Sequence, residues 1–301
     1  MTPILQYIVD YLERANSAHS DRVKRRLEEE KDEQLSKASA FFAQYQSYIE
    51  SEGKTLDYGL DCYLKLEAQM VHERAEFLRS GKYANSSFAE VEKQIYSNPK
   101  VFEYHMHGLV FAQFFWPEQS ARFQFFSEHI GAELAKGGRY LEIGGGHGLY
   151  VLEAANRAPR NTEFTLVDIS PSSMKLARGI AGRLPIDFQL MNIFEYLPDE
   201  KFDFVTLGEV LEHVEDPRSL LGKVRELLAP GGTAFISTPA NAPTIDHIYL
   251  FNSADEIRTM LNECGFRVLQ EKLQFSKNVS EEKARRLKVP AMYAAFVRAE
   301  K

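Results

Sequence analysis

Cysteine is nearly missing from this chain of 301 residues: only Cys62 and Cys264 occur, far apart. That excludes a disulfide scaffold or a cysteine-rich zinc module and points to a reducing compartment. No stretch approaches the ~18 consecutive apolar residues of a membrane-spanning helix. The opening Met1-Thr2-Pro3-Ile4-Leu5 carries no basic segment ahead of an apolar one, so it does not read as a secretory signal. The expectation is a cytoplasmic protein with no membrane contact. Positive charge is also short, with 36 Lys plus Arg against 43 Asp plus Glu and a formal charge of −7. A nucleic-acid backbone needs clustered cations and is therefore a poor partner, whereas a small neutral or cationic molecule suits the balance. Repeats and low-complexity tracts are absent. What is present, 44% hydrophobic and 26% charged residues, is ordinary for a globular protein of one large or two modest domains.

The first third lacks any convincing strand. Thr2-Pro3 starts a helix whose Ile4, Leu5, Ile8, Val9 and Leu12 share a face. Residues 21–36 alternate in charge sign and read as the solvated face of a long helix. Phe41, Phe42, Tyr45, Tyr48 and Ile49 make a buried helical stripe, and Ser87-Phe88-Ala89-Glu90 is a capping box. Residues 101–126 then concentrate rings, from Phe102 to Phe126, which read mainly as core at a helix junction. Tyr104 and His107 in that segment are the candidate substrate contacts from the helical side.

From residue 139 strands and helices alternate, the mark of an α/β domain with a mainly parallel sheet. Strands are expected near 139–144, 163–169, 186–192, 202–209, 231–238, 266–275 and 291–299, with helices near 148–158, 171–183, 217–229 and 254–264. The domains divide at 134: an all-helical 1–134 and an α/β 135–301. Within the latter, Leu141-Glu142-Ile143-Gly144-Gly145-Gly146-His147-Gly148 is a strand breaking into a glycine loop before a helix. Glycine lets backbone approach a ligand, and a helix start favours an anion. A dinucleotide fingerprint would want glycine at 149, but Leu149 stands there. The second strand ends in Asp168, the register at which an acid grips a ribose diol.

These residues resemble motif I and the acidic loop of class I S-adenosylmethionine-dependent methyltransferases, over 139–301. The resemblance implies a Rossmann-like seven-stranded sheet, mostly parallel with an antiparallel last strand. It also implies S-adenosylmethionine, with its amino-acid end at Gly144, Gly145, Gly146 and Gly148, Glu142 behind, its ribose on Asp168 and its adenine against Ile169. Asn192 and Ile193 end the third strand where many relatives carry an aspartate for the adenine amino group; the Asn192 carbonyl can take that role.

After the fourth strand comes Glu209-Val210-Leu211-Glu212-His213. In a helical turn, 209, 212 and 213 share a face, and two carboxylates with an imidazole suit a divalent ion. Glu-x-x-Glu-His is similar to the segment in ubiquinone-pathway O-methyltransferases and in small-RNA 2′-O-methyltransferases, where a metal site is implied. Asp246-His247 is similar to the place where the RNA enzymes supply a fourth ligand. Glu209, Glu212, His213 and His247 are thus the candidate ligands for Mg, Mn, Fe or Zn, Glu209 also bordering the cofactor. Many metal-free relatives carry Leu-Glu-His here as well, so a histidine-base reading stays open, with His213, His247 and Glu212 as catalytic groups. Either route favours a phenol or catechol-like hydroxyl as acceptor. C-methylation beside an activated hydroxyl, RNA 2′-O-methylation and a regulator without chemistry are the alternatives. The helical unit serves as lid, specificity module or homodimer contact.

Overall fold

The computed structural model describes residues 1–277 and 279–300. Helices α1 (Pro3–Ala15), α2 (Ser17–Glu28), α3 (Asp32–Ser51), α4 (Leu56–Ser80), α5 (Phe88–Val91), α6 (Pro99–Phe115) and α7 (Pro117–Glu133) come first, with one π turn at Glu92–Tyr96. There follow β1 (Gly138–Ile143), α8 (Leu149–Arg157), β2 (Thr162–Asp168), α9 (Pro171–Ala181), β3 (Ile186–Leu190), β4 (Phe202–Gly208), α10 (Pro217–Leu227), β5 (Leu228–Ala240), α11 (Ala254–Glu263), β6 (Phe266–Phe275), α12 (Glu281–Arg286) and β7 (Ala291–Ala299). The seven strands lie in the order β3-β2-β1-β4-β5-β7-β6. All neighbours are parallel except β7, which runs antiparallel to β5 and β6. The order reverses between β1 and β4, which puts a crevice at their carboxyl ends, the place where open α/β sheets bind ligands.

Strand side chains alternate between the two faces. One face carries rings: Tyr140 stacks on Phe204 at 5.9 Å, and Phe235 meets Phe296 at 5.1 Å. The other carries Leu141, Val205, Leu207 and Ile236 and is covered by α10 and α11. The ring face belongs to the same apolar cluster as Leu5, Ile8, Phe42, Tyr63 and Phe126, so one continuous core runs from α1 to the sheet. Fully burying each such side chain contributes about 1.5–3 kcal/mol. Helix α7 bridges the two regions, with Phe126 on Tyr150 at 4.8 Å and on Phe235 at 5.0 Å.

The charged stretch 21–36 departs from expectation. It is two helices, not one, broken at Glu29–Lys31, and Asp32 and Glu33 occupy the first turn of α3, where acids suit the positive helix end. The Ser87 cap forms, its Oγ accepting from Glu90 N–H at 3.3 Å while Glu90 Oε2 accepts from Ser86 N–H at 3.0 Å, and after one α turn the helix runs on as the π segment Glu92–Tyr96. Among the described residues no helix is long and apolar enough to cross a membrane.

Candidate active site

Where β1 leaves the sheet the chain must turn at once. Gly144 takes φ +68°, and a Cβ there would lie 2.6 Å from Val210 Cγ2, so only glycine fits. Gly144, Gly145 and Gly146 line a cavity of about 1020 Å³ that follows the carboxyl edge of the sheet. Gly148 departs from the expected ligand contact. It caps α8 with φ +77° and faces Ala177, 3.2 Å from a Cβ built there, so its task is conformational. Glu142 stands behind the loop, 3% exposed, and burial pushes its carboxyl up to about 8.

Asp168 ends β2 with Oδ1 accepting from Ser170 N–H at 2.8 Å and Oδ2 from Gly146 N–H at 3.2 Å. It thereby ties the glycine loop to the second strand. Burial outweighs these bonds and raises its pKa to about 6. Ile169, Asn192, Ile193 and Phe194 continue the wall beside it. Ile169 and Phe194 keep 46% and 47% of their surface exposed and offer apolar side chains to the cavity. The Asn192 carbonyl is already engaged, accepting from Phe194 N–H at 3.0 Å to cap a short turn.

The turn Leu211–His213 after β4 carries the strongest constellation. Glu212 is fully buried; its Oε2 accepts from Thr238 Oγ1 at 2.8 Å, and its Oε1 has no hydrogen-bond partner among the described residues. His213 Nε2 and His247 Nε2 each lie 3.8 Å from that oxygen. The three donor atoms fall within 4.8 Å of one another. Both rings are fixed from behind, His213 Nδ1 on Asp246 O at 3.0 Å and His247 Nδ1 on Ala242 O at 2.7 Å, the arrangement that orients metal-ligating imidazoles. The loop bearing His247 is held there because Ile248 and Tyr249 N–H both donate to Glu212 O, at 2.8 and 2.9 Å. Burial pushes Glu212 up to about 8, and burial with the neighbouring His213 lowers His247 to about 3. Burial opposes charge on His213 too, but the Asp246 and Glu212 carboxylates outweigh it and leave its pKa raised. An orphaned carboxylate oxygen facing two neutral-capable imidazole nitrogens fits a divalent ion of the Zn, Fe or Mn type.

Glu209 stands apart from this group, against expectation. Its backbone takes φ +59°, and its carboxylate turns to Arg122, Oε1 lying 2.8 Å from Nη1. Burial and the neighbouring His213 lower the His247 pKa to about 3, which keeps its ring neutral.

Residues 117–271 match a family model described as a methyltransferase domain, over half of the chain. The chain belongs to the methyltransferase-domain family. It is 33% identical over 121 residues to a ubiquinone biosynthesis O-methyltransferase of Xanthomonas campestris pv. campestris (strain B100), covering 38% of this chain and 49% of that protein. It is 35% identical over 106 residues to the protein of that name from Xylella fastidiosa (strain 9a5c), covering 34% and 42%. The chain thus spans about half or less of the length of these curated relatives. Two solved structures share the fold. The mitomycin 7-O-methyltransferase MmcR has a TM-score of 0.53 at 15% identity, over 77% of this chain and 68% of that one. The N-methyltransferase NodS of Bradyrhizobium japonicum WM9, in complex with S-adenosyl-L-homocysteine, has a TM-score of 0.51 at 18% identity, over 72% and 100%.

In this methyltransferase-domain chain the helical side of the cavity differs from expectation. Neither Tyr104 nor His107 lines it. Tyr104 OH donates to Gln69 Oε1 under the Lys65 ammonium, and His107 Nδ1 lies 2.8 Å from Tyr45 OH inside the helical core. Helix α6 is rotated so that His105, Met106, Leu109 and Gln113 face the cavity instead. His105 Nε2 lies 3.6 Å from Asp246 Oδ2, behind His213. Arg122, 2% exposed, also lines the cavity and had not been singled out from sequence; a lone guanidinium among Phe114, Phe115, Phe123 and Phe125 was its signal, because a buried cation must be paired.

Proposed function

We propose that this chain transfers a methyl group from S-adenosylmethionine to a hydroxyl oxygen of a small phenol or catechol-like molecule, with a divalent ion held by Glu212, His213 and His247. The observation that carries the reading is the unpartnered Glu212 Oε1, buried behind the cavity wall, facing the imidazoles of His213 and His247, which line the same cavity as the glycine loop. The relatives' name as O-methyltransferases supports the same class of acceptor.

The Gly144–Gly146 backbone leaves room for the methionine end, and the start of α8 favours its carboxylate. Asp168 retains lone pairs for the ribose hydroxyls. Ile169 and Phe194 hold the adenine. The helices closing the cavity exclude water and fix the acceptor oxygen in line with the methyl carbon and sulfur. The hydroxyl proton passes to solvent water as the acceptor binds; the oxygen–carbon bond then forms as the carbon–sulfur bond breaks, and the sulfonium becomes a neutral thioether. A divalent ion on the triad would lower the acceptor's pKa and orient it. Asp246 and His105 keep the His213 ring in place.

The test is transfer of labelled methyl from S-adenosylmethionine to a panel of catechols, phenols, amines and RNA. Label in catechol ethers, lost with a chelator and restored by Mg²⁺, Mn²⁺, Fe²⁺ or Zn²⁺, is the expected result. Label only in amines or RNA, or full indifference to chelation, overturns it.

A further inference from the structure

Between the ribose end of the donor site and the triad, the helical region contributes a tyrosine to the cavity wall. Tyr96 ends the π turn Glu92–Tyr96, whose wide ring is closed by Ser97 N–H donating to Glu92 O at 2.7 Å. Such turns are rare and recur at functional sites. Here the cause is local: Pro99 opens α6, and the residue ahead of a proline avoids helical backbone, so Asn98 takes φ −105° and ψ 95° and the preceding helix must stop. Val91 and Ile95 turn into the core from that segment, and Tyr96 lines the cavity.

Two rings of the same wall hold it. Phe102 meets Tyr96 edge-on at 5.0 Å, and Phe88 lies 5.9 Å away. Phe88 N–H donates to Glu215 Oε1 at 2.9 Å, which pins the segment to the loop just after the triad turn. Tyr96 is half-buried, and its hydroxyl keeps open surface while making no hydrogen bond among the described residues. Burial first, and then the Asp246, Asp168 and Glu212 carboxylates, hold its pKa well above the usual phenol value, so the O–H stays a donor. Those acids flank the reacting position, Asp168 at the expected ribose, Asp246 and Glu212 at the triad. The hydroxyl therefore stands beside the gap that the methyl group crosses.

A donor in that gap has one productive use. A hydrogen bond donated to the attacking oxygen would hold back the electron pair that it must give to carbon, whereas one donated to a neighbouring oxygen fixes the acceptor without that cost. We propose that Tyr96 is a specificity-determining residue whose hydroxyl donates to the acceptor oxygen adjacent to the reacting one, so that the site selects the vicinal oxygens of a catechol over a lone phenol. The proposal narrows the function given above and rests on it for the reacting oxygen alone; its own readout is binding.

4-Ethylcatechol and 4-ethylphenol differ by that one oxygen and test it, titrated calorimetrically into the full chain saturated with S-adenosylhomocysteine and Mn²⁺. The ion contributes alike to the wild type and to Tyr96→Phe, so the change in the catechol-to-phenol ratio isolates the hydroxyl. In Tyr96→Phe, checked for fold by circular dichroism, 4-ethylcatechol should bind at least about fivefold more weakly, while 4-ethylphenol stays within about twofold. Co²⁺ affinity should not change. An unaltered ratio overturns the proposal. So does a loss of affinity confined to S-adenosylmethionine over S-adenosylhomocysteine, which would put the hydroxyl on the sulfonium methyl, or a Co²⁺ loss as large as at Glu212, which would make it a ligand. If the ratio falls as expected but no catechol is methylated, the acceptor reading falls and the Tyr96 contact stands. If catechol is methylated and the ratio holds, or if neither compound binds the wild type, the contact falls.

Discussion

Arg122 Nη1 lies 2.8 Å from Glu209 Oε1, joining α7 to the end of β4 across the glycine loop. Arg122 Nη2 lies 2.7 Å from Gln113 Oε1, and the guanidinium sits over the Tyr150 ring at 5.4 Å. This pair removes one acid from the Glu-x-x-Glu-His segment and leaves a three-donor group of Glu212, His213 and His247. It also makes the helical and sheet regions depend on each other at the site itself.

Arg122→Met would leave the Glu209 carboxylate without its cation. The expected loss is about 3 kcal/mol, reduced somewhat because the Glu209 side chain keeps 22% exposure. Adding Glu209→Gln should recover at least half, since the stranded charge is then gone. Urea midpoints of the four proteins measure this, and strictly additive losses would contradict a direct pair.

For the ion, titration with Co²⁺ and its visible spectrum report coordination without any turnover. Glu212→Gln, His213→Ala and His247→Ala should each weaken binding by at least about 100-fold, more than second-sphere substitutions cost. Glu209→Gln should weaken it by less than about tenfold. A loss at Glu209 as large as at Glu212 would restore the four-ligand reading.

Asp168→Ala removes the acid expected at the ribose and also the acceptor for Gly146 and Ser170 N–H. Affinity for S-adenosylhomocysteine should fall by roughly 10- to 100-fold, as expected for charge-assisted hydrogen bonds. Near-unchanged affinity by calorimetry would take the ribose off this carboxylate.

The Glu142 carboxyl should cost stability as pH rises, opposite in sign to buried His247, whose lowered pKa makes its own contribution rise with pH up to the ordinary 6.5. Glu142 carries a folded pKa of about 8 against an ordinary 4.5, because burial disfavours its charge. Between those values the unfolded chain has released the proton and the folded chain still holds it, so each step up in pH favours unfolding; below 4.5 the penalty is absent and above 8 it is complete. Asp168, raised to about 6, and Glu212, raised to about 8, act in the same direction. Glu142→Gln should therefore stabilise the free protein at pH 8 by about 2–4 kcal/mol and do little at pH 4.5. Scanning calorimetry across that range measures it, and a pH-independent difference would mean the carboxyl is charged in the folded state.

Spacing along the chain was enough to read the sheet, the glycine loop, Asp168 and the Glu212-His213 pair, because each depends on a neighbour a few residues away. The alternation of Tyr140 with Leu141 and of Phe204 with Val205 places side chains on opposite faces whatever packs there, and a run of glycines before a helix turns the same way in any surroundings. Even His247 was legible, although two N–H groups on the Glu212 carbonyl are what bring it to the triad.

Rotation was not legible. Periodicity says that α6 has faces; it does not say which one meets the cavity, and there Met106 and His105 replaced Tyr104 and His107 because α3 and α4 hold the latter pair from the other side. The turn of Glu209 towards Arg122 depends on a cation 87 residues earlier in the chain. Local sequence determined which groups the protein owns and on which element each one sits. Which of them converge was decided by packing between distant segments, since a side chain's direction follows from how a whole helix or loop settles against its neighbours.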